Sequence, residues 1–317
     1  YPFAGILLWA WLSTMNPHRL AYGFMLQAPS AMVVAICVLI GLLRTNEKRS
    51  PLVGAPAVLF ALLIVWMCIT TAAAIHPDAS LTMLEKVFKI NLMVFVSIML
   101  VRTKREIMAF LWVLVLSLAF YGVKGGAFTI LSGGSYRVYG PSGTYIEENN
   151  ALAVALIMTV PFLRFLQTQL EARWQRWAMT AAMVLCAASV LGSHSRGALL
   201  AIGAMLSVLW LRGRNKLATL VLIACAGAGA LAIMPEHWWQ RMETIQTYEQ
   251  DASAMGRIHA WEMAFNVAQD RVTGAGFAMW RPDVYAKYKP DAILNVTAHS
   301  IYFHMMGEHG FIGLLLY

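Results

Sequence analysis

Near its C-terminal end the chain carries His299, His304, Glu308 and His309 in a stretch, AHSIYFHMMGEHGFIG (298–313), that runs into an apolar segment. Ionisable groups at the edge of a bilayer are costly, so such a cluster points to a site. Two arginines upstream carry related chemistry. Arg196 lies in the hinge Gly192-Ser193-His194-Ser195-Arg196-Gly197 between two apolar runs, and Arg257 borders a helical stripe inside the one long polar stretch, about 235–297. Ser195 can cap the helix that follows it, whose free amides and partial positive charge, beside a guanidinium fork, suit a phosphate. A second fork from Arg257 suits a diphosphate, and His299 is a group that can exchange a proton near neutral pH. The plain alternatives are an arginine touching lipid headgroups and a histidine hydrogen-bonded at a helix start.

Other chemistries fail on spacing. There is no HExxH, and His304 to His309 reads HxxxEH, one residue too long for the inverted zinc motif. No Asp-x-Asp pair, Walker loop or GxSxG elbow is present. No metal site and no cofactor are therefore expected. His304 and Glu308 are i,i+4 partners on the helix face nearly opposite His299, which reads as a buried structural pair.

The elements that must position these groups are membrane helices. Of 317 residues 59% are hydrophobic and only 13% charged, about half the charge of a soluble surface. Apolar runs fall at about 1–14, 28–43, 51–75, 81–101, 106–123, 151–166, 177–192, 197–211, 217–234 and 299–317. Each approaches the roughly 20 residues that cross a hydrocarbon core. The net charge of +8 does not indicate nucleic acid, because the cations cluster in alternate loops. Arg44, Lys48 and Arg49; Arg102, Lys104 and Arg105; Arg164, Arg173 and Arg176; and Arg212, Arg214 and Lys216 would lie on the cytoplasmic side. The short connections of the other side hold only Arg19, Lys124, Arg137 and Arg196, and all eight histidines fall on or near that outer face. Cys37, Cys68, Cys186 and Cys225 sit inside apolar runs and read as small hydrophobes.

The expected fold is all-α: a polytopic transmembrane helical bundle with about ten spans here and 11–12 in a full protein, both ends reading as truncated. Residues 1–123 form the N-terminal scaffold, in which Glu85 can pair with Lys89 at i,i+4. Residues 124–317 form a core comprising an outer loop 124–149, transmembrane helices 150–234, a large periplasmic loop 235–298 and a final helix 299–317. The outer loop is rich in Gly, Ser and Tyr and ends in Asn149 and Asn150, read either as a helix cap or as sugar-binding residues. Within the large loop, Asp251 or Ser253 can cap an amphipathic helix whose Ile258, Trp261, Phe265 and Ala268 would form one buried stripe. Trp238, Trp239, Trp280, Tyr285, Tyr288 and Tyr302 suit an interfacial belt or a carbohydrate-stacking surface.

Taken together, Ser195-Arg196-Gly197, the run Gly256-Arg257-Ile258-His259-Ala260-Trp261, and Ala298-His299-Ser300-Ile301-Tyr302 leading to Gly307-Glu308-His309-Gly310-Phe311-Ile312-Gly313 resemble the O-antigen ligase and polymerase family. With Asn16-Pro17-His18-Arg19-Leu20 and Tyr121-Gly122-Val123-Lys124-Gly125-Gly126, the whole chain is most similar to the exosortase-A-associated O-glycosylation ligase branch. The resemblance implies a metal-independent, inverting glycosyltransferase of a bacterial inner membrane with its site facing the periplasm. It would move a glycan from undecaprenyl diphosphate to an acceptor hydroxyl, with Ser or Thr of a secreted protein as the acceptor the branch suggests. Arg196 and Arg257 would bind the diphosphate and stabilise its leaving charge, while His299 would position or deprotonate the acceptor. Ser195, Tyr302, Asn149 and Asn150 are the further candidate contacts. Ser300 follows the histidine where relatives commonly have Asn, which touches the acceptor contacts.

An O-antigen or exopolysaccharide polymerase, or a lipid A-core O-antigen ligase, would use the same residues with another acceptor. A flippase or exporter would need ionisable groups along a path at mid-membrane depth. The middles of the spans within 51–75, 106–120, 151–163, 177–192, 198–211 and 217–234 hold none.

Overall fold

The structure is a computed structural model that describes residues 1–317 apart from 47, 214, 233, 237 and 240–251. Arg214 of the fourth basic cluster, His237 and the capping candidate Asp251 lie outside the described residues. Within them the chain is all-α. The helices are α1 (Pro2–Met15), α2 (Ser30–Arg44), α3 (Gly54–Ala72), α4 (Pro77–Leu100), α5 (Lys104–Leu131), α6 (Asn149–Gln167), α7 (Arg173–Gly192), α8 (Arg196–Arg212), α9 (Lys216–Ala232), α10 (Ala252–Asp270), α11 (Pro282–Tyr288) and α12 (Ile301–Leu316), with 3-10 turns at Pro17–Leu20 and Gly23–Gln27.

Three described helices, α3, α5 and α6, are long and apolar enough to cross a membrane, while α1 and α2 are apolar but shorter. In α3, Leu59, Leu62, Val65 and Ile69 all point outward, and only 28% of its apolar stretch is covered by protein. A surface of that kind is stable against hydrocarbon and costly against water. The 24-residue α4 is interrupted by charge, and its Glu85 and Lys89 form the expected i,i+4 ion pair.

Two compact units are present, each made of two stretches of chain: Tyr1–Leu43 with Thr103–Ile245, and Arg44–Arg102 with Gln246–Tyr317. The first is built on α5, which packs against α1, α6 and α7. Its start is fixed by a capping box, Thr103 Oγ1 accepting from the Glu106 N–H at 3.2 Å while Glu106 accepts from the Thr103 N–H at 2.8 Å. Its second half holds the feature that the sequence reading misplaced. The helix continues to Leu131, so the loop expected at 124–149 narrows to 132–148. Gly125 and Gly126 look like turn residues, but they are the contact face for α7. A methyl on Gly126 would stand 2.0 Å from the Leu185 carbonyl, and one on Gly125 2.4 Å from Ser189 Oγ. Small residues let two membrane helices approach until their backbones touch.

The second unit is built from α3, α4, α10, α11 and α12. Here too a stripe differs from expectation. The buried face of α10 is Gly256, His259, Ala260, Met263, Ala264, Val267 and Ala268, so of the expected stripe Ala268 is buried, Ile258 and Trp261 are half-buried and Phe265 is exposed. The aromatic spacing suggested burial, but the small residues are what fit against α12, where a methyl on Gly307 would sit 3.0 Å from the Ala264 Cβ.

Candidate functional site

In the first unit the hairpin before Arg196 is held rigidly. Ser193, His194 and Ser195 are each no more than 5% exposed. Buried backbone oxygens need donors, and two of the hairpin's carbonyls take theirs from other elements. The Gly192 carbonyl accepts from the Val138 N–H at 2.9 Å, and the Ser193 carbonyl accepts from the Asn149 amide at 2.7 Å. His194, in a left-handed conformation (φ 54°), donates from Nε2 to the Gly134 carbonyl at 2.9 Å. Ser195 caps α8 as its position suggested, Oγ accepting from the Ala198 N–H at 3.2 Å. Arg196 is then the first residue of α8, half-buried at the end of the hairpin.

Asn149 therefore does something its sequence context did not disclose. The N-cap of α6 is Glu148, with no side-chain cap bond, and the Asn149 amide donates instead to the hairpin. Asn150 follows it as the second residue of α6, half-buried.

In the second unit the segment that carries His299 is laid along α10. Trp261 donates from its indole nitrogen to the Ala298 carbonyl at 2.8 Å, and Tyr285 from its hydroxyl to the Val296 carbonyl at 2.5 Å. His259 accepts the Ile293 N–H on Nδ1 at 3.3 Å, which places its proton on Nε2. Gly256 is the point of closest approach, where a methyl would meet Val296 at 3.2 Å. Ala298 is fully buried and His299 is exposed, the switch being made by a left-handed backbone at His299 (φ 48°). Arg257 stands one turn before Trp261 on the same helix face. It is half-buried, and among the described residues its side chain makes no hydrogen bond or ion pair. Tyr302, in the first turn of α12, is 63% exposed. This unit thus holds Arg257, His299 and Tyr302 together; Arg196, Ser195, Asn149 and Asn150 belong to the other.

The support beneath His299 was partly legible. His304 and Glu308 lie 3.7 Å apart, bridged by the Trp280 indole N–H at 3.2 Å from each. His309 is fully buried, its Nδ1 2.7 Å from Thr70 Oγ1 and its carbonyl accepting from the Trp66 indole at 2.7 Å. What sequence reasoning missed is that α12 is not continuous. Gly310 leaves the helical conformation (φ 69°, ψ −176°), which frees carbonyls in the preceding turn. Two of them are met from the loop after α10: the Ala275 N–H binds the Gly307 carbonyl and the Gly276 N–H the Glu308 carbonyl, both at 2.9 Å. The contact tolerates only glycine, since a methyl on Gly310 would stand 2.0 Å from the Val272 carbonyl and one on Gly274 2.6 Å from the Gly307 carbonyl. The signal in the sequence was the paired spacing of Gly274 and Gly276 with Gly307 and Gly310.

Among the described residues no three His, Cys, Asp or Glu side chains converge in a way that could hold a metal ion. The polar shell around α10 and α11 is ionic. The Tyr288 hydroxyl donates to Asp270 at 2.7 Å, and that bond, with Lys287 nearby, holds the Asp270 carboxyl below the usual range. Lys289 lies 2.8 Å from Asp291 and 2.9 Å from Glu262, bonds that raise its own pKa, and its hydrogen bond lowers that of Asp291.

Compared with known families, residues 1–171 match a family of unknown function (DUF5935), and residues 181–317 match the O-Antigen ligase family. No curated protein and no solved structure matches the chain.

Proposed function

We propose, for a chain that belongs to the family of unknown function DUF5935 and carries an O-antigen ligase domain over residues 181–317, that it is an inverting membrane glycosyltransferase. It takes a glycan from undecaprenyl diphosphate and joins it to an acceptor hydroxyl, Ser or Thr of a secreted protein being the acceptor the sequence resemblance favours. The reaction runs at the periplasmic face of a bacterial inner membrane, in a bundle of about ten spans over this chain. The observation that carries the reading is the tether from Trp261 to Ala298, which fastens the helix of Arg257 to the residue before an exposed His299.

In this mechanism the acceptor oxygen attacks the anomeric carbon opposite the bond to the diphosphate. The acceptor C–O bond forms as the C–O bond to the diphosphate breaks. His299 takes the acceptor proton, a contribution of about 10²–10⁴-fold. Arg196 and Arg257 meet the charge gathering on the departing diphosphate, and loss of one such donor costs about 10²–10³-fold. Ser195 holds the start of α8 and with it Arg196. No metal enters these steps.

The test is reconstitution with a lipid-diphosphate glycan and, separately, a protein, a lipid A-core or a second lipid-linked acceptor. Sugar on the protein supports the reading; sugar on the lipid core or on the lipid-linked chain assigns the chain to the alternative ligase or to a polymerase. Movement of the lipid-linked glycan across the bilayer without transfer would make it a flippase and overturn the proposal.

A further inference from the structure

Arg19, Lys124 and Arg137 remain without a role once Arg196 is assigned; Lys124 stands inside α5 and Arg137 in the loop that follows it. Within the first unit they gather at one place. Lys124 and Arg137 line a cavity of about 320 Å³ whose other walls include Tyr121, Phe128, Tyr139 and Pro141. Leu20 lines it as well, and the guanidinium of the neighbouring Arg19 packs against Gly143, two residues beyond Pro141, where an added methyl would meet Arg19 Cζ at 3.1 Å. Among the described residues none of these three side chains makes a hydrogen bond or ion pair. Of the two carboxylates in that loop, Glu147 accepts from the Gly143 N–H at 2.7 Å, and Glu148 is the exposed N-cap residue of α6 and does not line the cavity.

Cations gathered around a concavity whose described walls hold no carboxylate repel one another, and an anion in the cavity relieves that repulsion. The volume is at the small end for a ligand pocket, and two cations facing aromatic walls suit a small oxyanion carried on an apolar or sugar body. The cavity is also built into the hairpin of Arg196. Its wall residue Val138 donates to the Gly192 carbonyl at 2.9 Å, and Gly125 packs on Ser189 of the same helix.

The geometry points to a second anion-binding site, formed by Lys124 and Arg137 with Arg19 at its rim, that takes a phosphate or carboxylate group. This site stands without the proposed transfer reaction, because it requires only that an anion fill the cavity. The anion has two chemical sources, a phosphate of a lipid headgroup or the carboxylate of an acidic sugar.

The experiment uses the full-length protein in detergent with Arg196→Gln and Arg257→Gln both present, so that the proposed diphosphate clamp does not contribute and its failure is read separately. Calorimetric titration is run with inorganic pyrophosphate, glucuronate and, as the neutral control, glucose. Expected is binding of at least one anion and weaker or no binding of glucose. Adding Lys124→Gln and Arg137→Gln should weaken the anion at least threefold. Tighter pyrophosphate names the phosphate source, and tighter glucuronate names the acidic sugar. No anion binding in the background, glucose binding as tightly as the anions, or less than a threefold change on removing both cations overturns the site.

Discussion

The indole N–H of Trp261 and the carbonyl of Ala298 are joined at 2.8 Å across 37 residues of chain. The same indole ring stacks on Phe303 with centroids 5.0 Å apart, so one side chain touches both sides of His299. Trp261→Phe keeps an aromatic ring beside Phe303 and leaves the buried Ala298 carbonyl without its donor, a cost of about 1–3 kcal/mol. Glycan transfer in the reconstituted assay is expected to fall about fivefold or more, with the protein still present in the membrane. Unchanged transfer would separate the tether from the reaction.

Arg196→Ala, Arg257→Ala and His299→Ala are each expected to lower transfer by about 10²-fold or more. Arg196→Lys keeps the charge and loses the bidentate fork, so it should remain impaired. Normal transfer by any two of the three alanine variants sinks the assignment.

Asn149 separates positioning from sugar contact. Its amide is the donor to the buried Ser193 carbonyl, so Asn149→Ala leaves that oxygen unpaired at a cost of about 1–3 kcal/mol. Asn149→Asp should be worse, because a carboxylate cannot donate. The check is thermal stability of the purified protein without substrate. A sugar contact alone would leave both melting temperatures at the wild-type value.

Gly310→Ala puts a methyl on the Val272 carbonyl and forces a left-handed position on a residue with a Cβ. Backbone strain of that kind alone costs about 1–3 kcal/mol. The variant should unfold at a lower temperature than Gly313→Ala, whose nearest obstacle is the His309 Cβ of its own helix. Equal melting temperatures would show that the docked loop is not held at Gly310.

The ionic shell of α10 and α11 sets a pH window. Asp270 and Asp291 have folded pKa values below the ordinary one, so their contribution is present above the unfolded value of about 4 and is lost as pH falls through the lower folded value. Lys289 has a raised pKa, so its contribution is present below the unfolded value of about 10.4 and is lost as pH rises through the folded one. Amide exchange in α10 and α11, corrected for intrinsic rates, is expected to stay level between those limits and to quicken outside them. A midpoint near neutral pH would assign the shell to other groups.

Helical class, the places where cations interrupt apolar runs, the Ser195 cap and the Glu85–Lys89 pair were all legible in the residue order, because each rests on groups within about one helical turn. The glycine-rich start of the outer loop and the aromatic stripe of α10 misled for one reason. Residue type reports what a position tolerates, and only the neighbouring helix decides whether a glycine turns the chain or a small residue displaces an aromatic from the buried face. The bonds that place the candidate groups lie further still from local pattern: Asn149 to Ser193 spans 44 residues and Trp261 to Ala298 spans 37. Which carbonyl lacks a partner depends on where a helix breaks or a hairpin turns, and which donor reaches it depends on the packing of distant segments. The amino-acid sequence alone determined a membrane-helical chain bearing Arg196, Arg257 and His299; the tertiary structure decided that the helix of Arg257 is bonded through Trp261 to the residue before His299, and that Arg196 begins α8 at the end of a buried hairpin.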